Sequence, residues 1–347
     1  MLEYLPWAQT TFDYALKKYI NNELSILDIE LGGECNYHCV YCDSPERKKK
    51  CKLSIDNFER IISSGMFDWL FICGLGEPTY NDNYDYLIKM LELCRQHSVK
   101  CSIFSNISNL SPQLIDFVQS GTLYVLFKYD SPSIKTINTL YGINNAEQQF
   151  ERIKTLSKYV HFKDNKTNIA ASIVPTRHNY DDIMTVIKEC ISLNIFPLLG
   201  ELELSGKGEI NYENLYLSPE ELQKIKDSTE ELLGCRYTIP ICPAVISGIH
   251  ISYDSYITVD RFSGLSCHWF WLENPDTYRI KKFDSAVSLQ EIKEQIFLYR
   301  DKRIPYVEGY LKQKKDIGSA FGGCGGKINT IFRQYIDFHQ RRKNDLL

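Results

Sequence analysis

Short apolar runs and amphipathic stretches alternate along the first two thirds of the chain. The runs are Ile26–Leu31, Trp69–Cys73, Cys101–Ser105, Leu123–Lys128, Asn168–Val174 and Phe196–Leu204. Their length and their Ile, Val, Leu and Phe content read as strands. Between them, Leu53–Ser63, Tyr84–His97, Ser111–Gln119, Ala146–Tyr159 and Tyr180–Leu193 carry apolar residues at helical spacing. Ser54 and the Ser111-Pro112 pair stand where helix N-caps are expected. Six βα units of about 30 residues each predict parallel strands joined by crossover helices. That is either an open doubly wound sheet or a partial barrel, and the pattern alone does not choose.

The flanks break this rhythm. Residues 1–24 read as an irregular lead-in with one amphipathic helix, on which Phe12, Ala15, Leu16 and Tyr19 share a face. At the other side, Ser205-Gly206-Lys207-Gly208 reads as a turn that closes the repeats. A helix over Pro219–Leu233 follows, then a hairpin of Ile249–Ser252 and Tyr256–Val259 around Asp254-Ser255. The tail offers a helix near Leu289–Arg300, the glycine-rich Gly322–Gly326 and a last helix over Asn329–Arg342. The expected organisation is therefore a lead-in (1–24), a βα domain (25–205) and a smaller C-terminal domain (206–347).

Composition narrows the function classes. The formal charge is −4, with 24% charged residues, and the short basic runs Arg47–Lys50 and Lys312–Lys315 lack interleaved aromatics. A nucleic-acid partner is not expected. No segment approaches the ~18 consecutive apolar residues of a membrane span, and the N-terminus lacks the basic and apolar regions of a signal peptide. The expectation is a cytoplasmic protein. Twelve cysteines in such a chain point to metal or cluster ligation rather than to a disulfide framework.

Three of them stand in Gly32-Gly33-Glu34-Cys35-Asn36-Tyr37-His38-Cys39-Val40-Tyr41-Cys42, directly after the first strand. A tight loop can turn Cys35, Cys39 and Cys42 to one side, and cysteine thiolates are the usual iron–sulfur ligands. A closed structural zinc site wants four protein ligands. His38 or Cys51 would have to complete one here, and no second Cys-x-x-Cys arm lies nearby.

This Cys-x-x-x-Cys-x-x-Cys motif, with Tyr41 before the last cysteine, resembles the radical S-adenosylmethionine superfamily. The resemblance implies an enzyme in which Cys35, Cys39 and Cys42 hold a 4Fe–4S cluster whose open iron chelates S-adenosylmethionine. Reduction of that cofactor then gives a 5′-deoxyadenosyl radical that abstracts a hydrogen atom. It also implies an α/β fold, a partial (β/α)6 TIM-like barrel with its site at the C-terminal strand ends. Cys73-Gly74-Leu75-Gly76-Glu77-Pro78 ends the second strand and resembles the family's Gly-Gly-Glu-Pro motif. That assigns Gly74, Gly76, Glu77 and Pro78 to the methionine end of the cofactor. By the same resemblance Ser105, Asn106 and Ser172 contact its carboxylate and ribose, and Tyr41 packs near its adenine. Tyr141-Gly142 also fits the family and reads as structural.

Within such a barrel, strand alternation puts Glu201 and Glu203 on one face and Leu198, Leu202 and Leu204 on the other. The glutamates are expected in the lumen, and so, by the same alternation, are Lys128 and Asp130. These four are the candidate substrate contacts and catalytic residues.

Beyond residue 205, Cys235, Cys242, Cys267 and Cys324 remain, separated by 6, 24 and 56 residues. Four thiolates suffice for a fully ligated second 4Fe–4S cluster. Their placement around a hairpin resembles the twitch or SPASM extensions of the superfamily, and one auxiliary cluster is the economical reading. Cys73, Cys94, Cys101 and Cys190 read as core residues and Cys51 as part of an exposed loop.

Enzymes of this kind commonly modify peptides, so the resemblance implies maturation of a ribosomally made peptide by cross-linking, epimerisation or oxidation. An electron donor such as flavodoxin or ferredoxin is expected, and so is a separate leader-peptide recognition protein or direct binding to the tail domain. The alternatives are oxidation or epimerisation of a small sugar or antibiotic precursor, and a non-catalytic iron–sulfur electron carrier.

Overall fold

The computed structural model describes residues 2–11, 14–15, 17–18, 21–42, 53–72, 74–200, 202, 206–237, 248–258 and 279–298. The strands among them are β1 (Glu3–Tyr4), β2 (Ile26–Ile29), β3 (Trp69–Ile72), β4 (Lys100–Ser105), β5 (Leu123–Lys128), β6 (Phe162–Lys163), β7 (Lys166–Thr167), β8 (Ile169–Ile173), β9 (Phe196–Leu199), β10 (Gly248–Ile251), β11 (Tyr256–Thr258) and β12 (Arg279–Lys282). Six of them run parallel in the order β2-β3-β4-β5-β8-β9. This is the α/β architecture expected of a partial (β/α)6 barrel. The intervening helices start where serine can accept from a backbone amide. Ser54 caps Ile55–Ile62, Ser111 caps Pro112–Gln119, and Ser218 forms a capping box with Glu221 on Pro219–Leu233.

Residues opposite one another in this register share a face of the sheet. One face carries Leu27, Leu70, Cys101, Ile103, Val125 and Phe127 and shares a single core with helix residues Phe58, Ile61, Leu87, Leu91, Leu114 and Phe117. The opposite face, which lines the lumen, carries Asp28, Phe71, Ser102 and Tyr124 in one row and Lys128 beside Ser172 in a higher one. Cys94, Cys101 and Cys190 are buried as expected. Burial pushes all three thiols up, Cys94 to about 12, which keeps them protonated and inert.

The sheet extends beyond these six strands. β10 pairs parallel with the free edge of β2, and β11 and β12 follow antiparallel. The expected hairpin is present, with its turn at Ser255 (φ 68°), and it is a continuation of the barrel sheet. The lead-in is also more ordered than expected. Leu5–Gln9 is a helix, and β1 pairs with β7. The Tyr4 hydroxyl lies 2.9 Å from Ser102 Oγ. Phe12, Leu16 and Tyr19 lie outside the described residues.

Two further differences concern the chain near residue 200. The last barrel strand ends at Leu199, not at Leu204; Gly200 N makes its last rung, donating to Ile173 O at 2.7 Å. Where Ser205–Gly208 was expected to turn, Gly206–Ile210 is a short helix. On the outer edge of β9, the Tyr237 hydroxyl accepts from Leu199 N (2.7 Å) and donates to Pro197 O (3.0 Å), standing in for a neighbouring strand.

Candidate metal and cofactor site

The three clustered cysteines lie on the loop that leaves the C-terminal end of β2. Cys39 is buried, and Cys35 and Cys42 are half-buried. Neighbouring elements fasten the loop. His38 N donates to Tyr141 O (2.7 Å) and Val40 N to Leu140 O (2.9 Å), fastening its middle to the helix Ile134–Tyr141. The Tyr37 ring stacks on Tyr141 with centroids 5.3 Å apart, and its hydroxyl donates to Gln149 Oε1 (2.6 Å). On the other flank Lys207 N donates to Cys42 O (2.8 Å) and Asn211 Nδ2 to Val40 O (2.8 Å). The helix Gly206–Ile210 is therefore a brace for the cysteine loop. Gly142, in the left-handed region at φ 60°, lies so close that a Cβ there would stand 2.9 Å from His38 Cβ and O.

The Gly-Leu-Gly-Glu-Pro segment supports the loop from below. Gly76 has φ 74°, and a Cβ there would stand 1.8 Å from Gly32 O and 2.8 Å from Glu34 O. Only glycine fits. Glu77 N donates to Glu34 O at 2.7 Å. The Glu77 carboxylate is buried and takes four hydrogen bonds from the chain. These come from Thr79 N (2.9 Å), Thr79 Oγ1 (2.7 Å), Asn106 N (2.6 Å) and Ser105 Oγ. Burial raises its pKa, and those donors pull against the rise. Glu77 thus ties the ends of β3 and β4 together.

Asn106 continues this chain of contacts upward. Its Nδ2 donates to Asn36 Oδ1 at 2.9 Å and lies 3.9 Å from Cys35 Sγ. Ile107, a β-branched residue at φ 51°, is held in that strained turn by Ser105 Oγ, which accepts from Ile107 N at 2.7 Å. Pro78 is buried, and Gly74, at φ 107°, is exposed. Ser172 is half-buried beside Lys128.

Tyr41 lies under the last cysteine. Its hydroxyl donates to the fully buried Asp130, whose other oxygen accepts from Val174 N at 2.6 Å. Asp130 N in turn donates to the Tyr141 hydroxyl (3.1 Å). Burial raises the pKa of Asp130 against the pull of Lys128 and these donors, and burial with the neighbouring Asp130 raises that of Tyr41. Lys128 Nζ lies 4.9 Å from the centre of the Tyr41 ring. Burial works against the Lys128 ammonium, but the negative charges of Cys39, Asp130, Cys42 and Cys35 outweigh it and its pKa is raised.

The structure brings Cys35, Cys39, Cys42, Tyr41, Gly76, Glu77, Ser105, Asn106, Lys128 and Asp130 together around the strand-end loop. Glu201 and Glu203 lie outside the described residues, and β9 ends at Leu199; its register also corrects the expected alternation, because Leu198, expected to face the helices, pairs with Ser172 on the lumen face and Leu199 with Ile173 on the other. Of the second cysteine set only Cys235 is described. It lines, with Tyr4, Trp7, Phe196, Arg236 and Tyr237, a cavity of about 240 Å³. Phe196 begins β9, so this cavity lies at the end of the barrel opposite the cysteine loop. Cys242, Cys267 and Cys324 fall outside the described residues.

The braces Asn36, Gln149, Lys207 and Asn211 were missed, as were Asn83, whose Nδ2 donates to Glu77 O at 3.1 Å, and a buried acid–imidazole–acid array on the lumen face. His250 Nδ1 lies 3.3 Å from Asp28 Oδ2, and Nε2 lies 3.8 Å from Glu30 Oε1. The available signal was Ile26-Leu27-Asp28-Ile29-Glu30-Leu31, where two carboxylates alternate with core residues.

The donor chemistry fits an iron–sulfur cluster. Among the described residues, no three His, Cys, Asp or Glu side chains converge to hold a single metal ion. One zinc ion needs that convergence, with Zn–S bonds of about 2.3 Å. A 4Fe–4S cluster takes each thiolate on a different iron, so three thiols on one loop are a donor set it can use.

Residues 29–190 match the model of the Radical SAM superfamily. No curated protein matches the chain. Among solved structures, the fold resembles Streptococcus suis SuiB bound to precursor peptide SuiA, with TM-score 0.58, 16% identity, and coverage of 80% of this chain and 66% of that one. SuiB bound to S-adenosylmethionine gives TM-score 0.54 and 18% identity over 70% of this chain and 61% of that one. Native anSMEcpe with bound AdoMet and Cp18Cys peptide gives TM-score 0.57 and 15% identity over 92% of this chain and 98% of that one. The chain spans less than two thirds of the length of SuiB, and at these identities the likeness is one of fold. Among the described residues no helix is long and apolar enough to cross a membrane.

Proposed function

We propose that the chain is a radical S-adenosylmethionine enzyme that modifies a ribosomally made peptide by cross-linking, epimerisation or oxidation. The observation that carries this reading is the clamped cysteine loop. Three thiols on one strand-end loop are braced by Gly76, Glu77 and Asn106 in a segment that matches the superfamily. The peptide substrate is supported by the fold shared with SuiB and anSMEcpe, whose structures hold peptides.

In this reading Cys35, Cys39 and Cys42 hold a 4Fe–4S cluster, which with S-adenosylmethionine supplies the 5′-deoxyadenosyl radical. The chain's own residues position and shield. Gly74, Gly76 and Pro78 offer backbone to the methionine end of the cofactor, and Glu77 and Ser105 hold that backbone in shape. Asn106 and Ser172 line the cofactor's path, and Tyr41 supports the loop from the adenine side. Asp130 is a positioning residue that acts through Tyr41. Glu201 and Glu203 stay proposed as substrate contacts. Cys235, Cys242, Cys267 and Cys324 would hold an auxiliary cluster in a C-terminal domain, and a cytoplasmic flavodoxin or ferredoxin would supply electrons.

The test is anaerobic reconstitution, an iron count, and an assay for 5′-deoxyadenosine after reduction. Formation of 5′-deoxyadenosine is the expected result. Zinc at the loop, or a cofactor left intact once electrons are supplied, overturns the proposal.

A further inference from the structure

The lumen face beneath the cysteine loop carries the ammonium of Lys128, and its surroundings hold it in place. Lys128 is the last residue of β5, opposite Ser172 on β8. Its carbonyl accepts from Gln149 Nε2 (3.2 Å), and Gln149 Oε1 accepts from the Tyr37 hydroxyl on the cysteine loop. Its ammonium lies 4.9 Å from the centre of the Tyr41 ring, and Tyr41 immediately precedes Cys42. Asp130, the nearest acid along the chain, has its oxygens engaged by the Tyr41 hydroxyl and Val174 N. Both the backbone and the charged end of Lys128 are thus fastened to the segment that carries the sulfurs. An ammonium held over an aromatic face in a half-buried site is less screened than one in water.

We infer that Lys128 sets the reduction potential of the first cluster, its fixed positive charge favouring the reduced, more negative form. The inference rests on the proposed function, because it requires a cluster on Cys35, Cys39 and Cys42. Iron–sulfur potentials respond to net local charge, to hydrogen bonds on the sulfurs and to solvent exposure. Lys128 supplies the first, and Asn106 Nδ2, 3.9 Å from Cys35 Sγ, stands where it can supply the second. The one-electron step that starts the reaction needs a strong reductant. A cation at the cluster makes that electron easier to deliver and is equally present before any cofactor binds.

The experiment is a redox titration of the reconstituted full-length protein, followed by electron paramagnetic resonance without S-adenosylmethionine. Lys128→Met keeps the aliphatic stem against Tyr41 and removes only the charge. Lys128→Arg keeps the charge and changes the shape. At a fixed ambient potential, Lys128→Met should show a reduced-to-oxidised ratio about tenfold below wild type, a shift of about 59 mV for one electron. Lys128→Arg should stay close to wild type. Equal potentials for wild type and Lys128→Met overturn the inference. So does an equal shift in both variants, which would mark lost packing, or a loss of cofactor affinity with the potential unchanged. If Lys128→Met loads no iron, the same titration on Lys128→Arg decides: a wild-type potential supports the charge, and a shifted one overturns it. Failure of the wild type itself to load a reducible cluster would instead remove the functional reading on which this rests.

Discussion

The two ends of the barrel hold cysteine in opposite ways. At the C-terminal strand ends, Cys35, Cys39 and Cys42 sit within eight residues on one loop, with ties from Glu77, Asn106, Tyr141, Gln149, Lys207 and Asn211 around it. At the strand starts, Cys235 follows the C-cap Gly234 of a helix and borders a cavity. Its expected partners lie 6, 24 and 56 residues apart along the chain. Strands of four to six residues, at about 3.3 Å each, separate the two ends by roughly 13–20 Å. The first site is built by the fold around a local motif. The second, as proposed, would draw its ligands from segments far apart in sequence.

The largest effect that separates the two ends is expected from Cys39→Ala. It should abolish 5′-deoxyadenosine formation, measured by chromatography of the reduced, reconstituted protein. Retained activity would break the comparison outright. Glu77→Ala comes next. It strands the buried Asn106 N, Thr79 and Ser105 donors and should cost about 3–5 kcal/mol, read from the urea midpoint of the apo protein. Gly76→Ala sets a Cβ against the Gly32 carbonyl in a left-handed backbone. At least about 1–3 kcal/mol is expected in the same assay from the backbone conformation alone, more as the Gly32 carbonyl is displaced, with weaker S-adenosylmethionine binding by calorimetry; an unchanged affinity would mean that this loop is scaffold alone. Cys235→Ser should be mildest at the first site. Iron should fall from about eight to about four per chain, with 5′-deoxyadenosine formation retained. Iron already near four in the wild type would remove the auxiliary cluster.

How far the sequence carried depends on whether a signal was local. Leu123–Lys128 reads at its observed bounds because an uninterrupted apolar run is what a strand covered on both faces requires. Pro219–Leu233 does so because Ser218, Pro219 and Gly234 mark its ends chemically. The expected turn at Ser205–Gly208 proves to overlap the helix Gly206–Ile210, because its two glycines argue against a helix while its bonds to the cysteine loop, far away in sequence, override that preference. Ile134–Tyr141 went unread, although Ser133 caps it and Gly142 ends it. Its value to the site, the carbonyls of Leu140 and Tyr141, is a backbone feature that no side chain announces. The pairing of β10 with β2 joins residues as far apart as Asp28 and His250, a separation of 222 positions. Periodicity carries no information at that range.

That pairing also sets a timetable for synthesis. β2, which leads into the cysteine loop, acquires β3 on one side early, but its other edge waits for Gly248–Ile251 to leave the ribosome. At about 5–20 residues per second, the nascent chain spends many seconds with an apolar strand edge uncovered beside the three clustered cysteines. Exposed edges invite pairing with other chains, so truncation before residue 248 should yield aggregates rather than a smaller barrel.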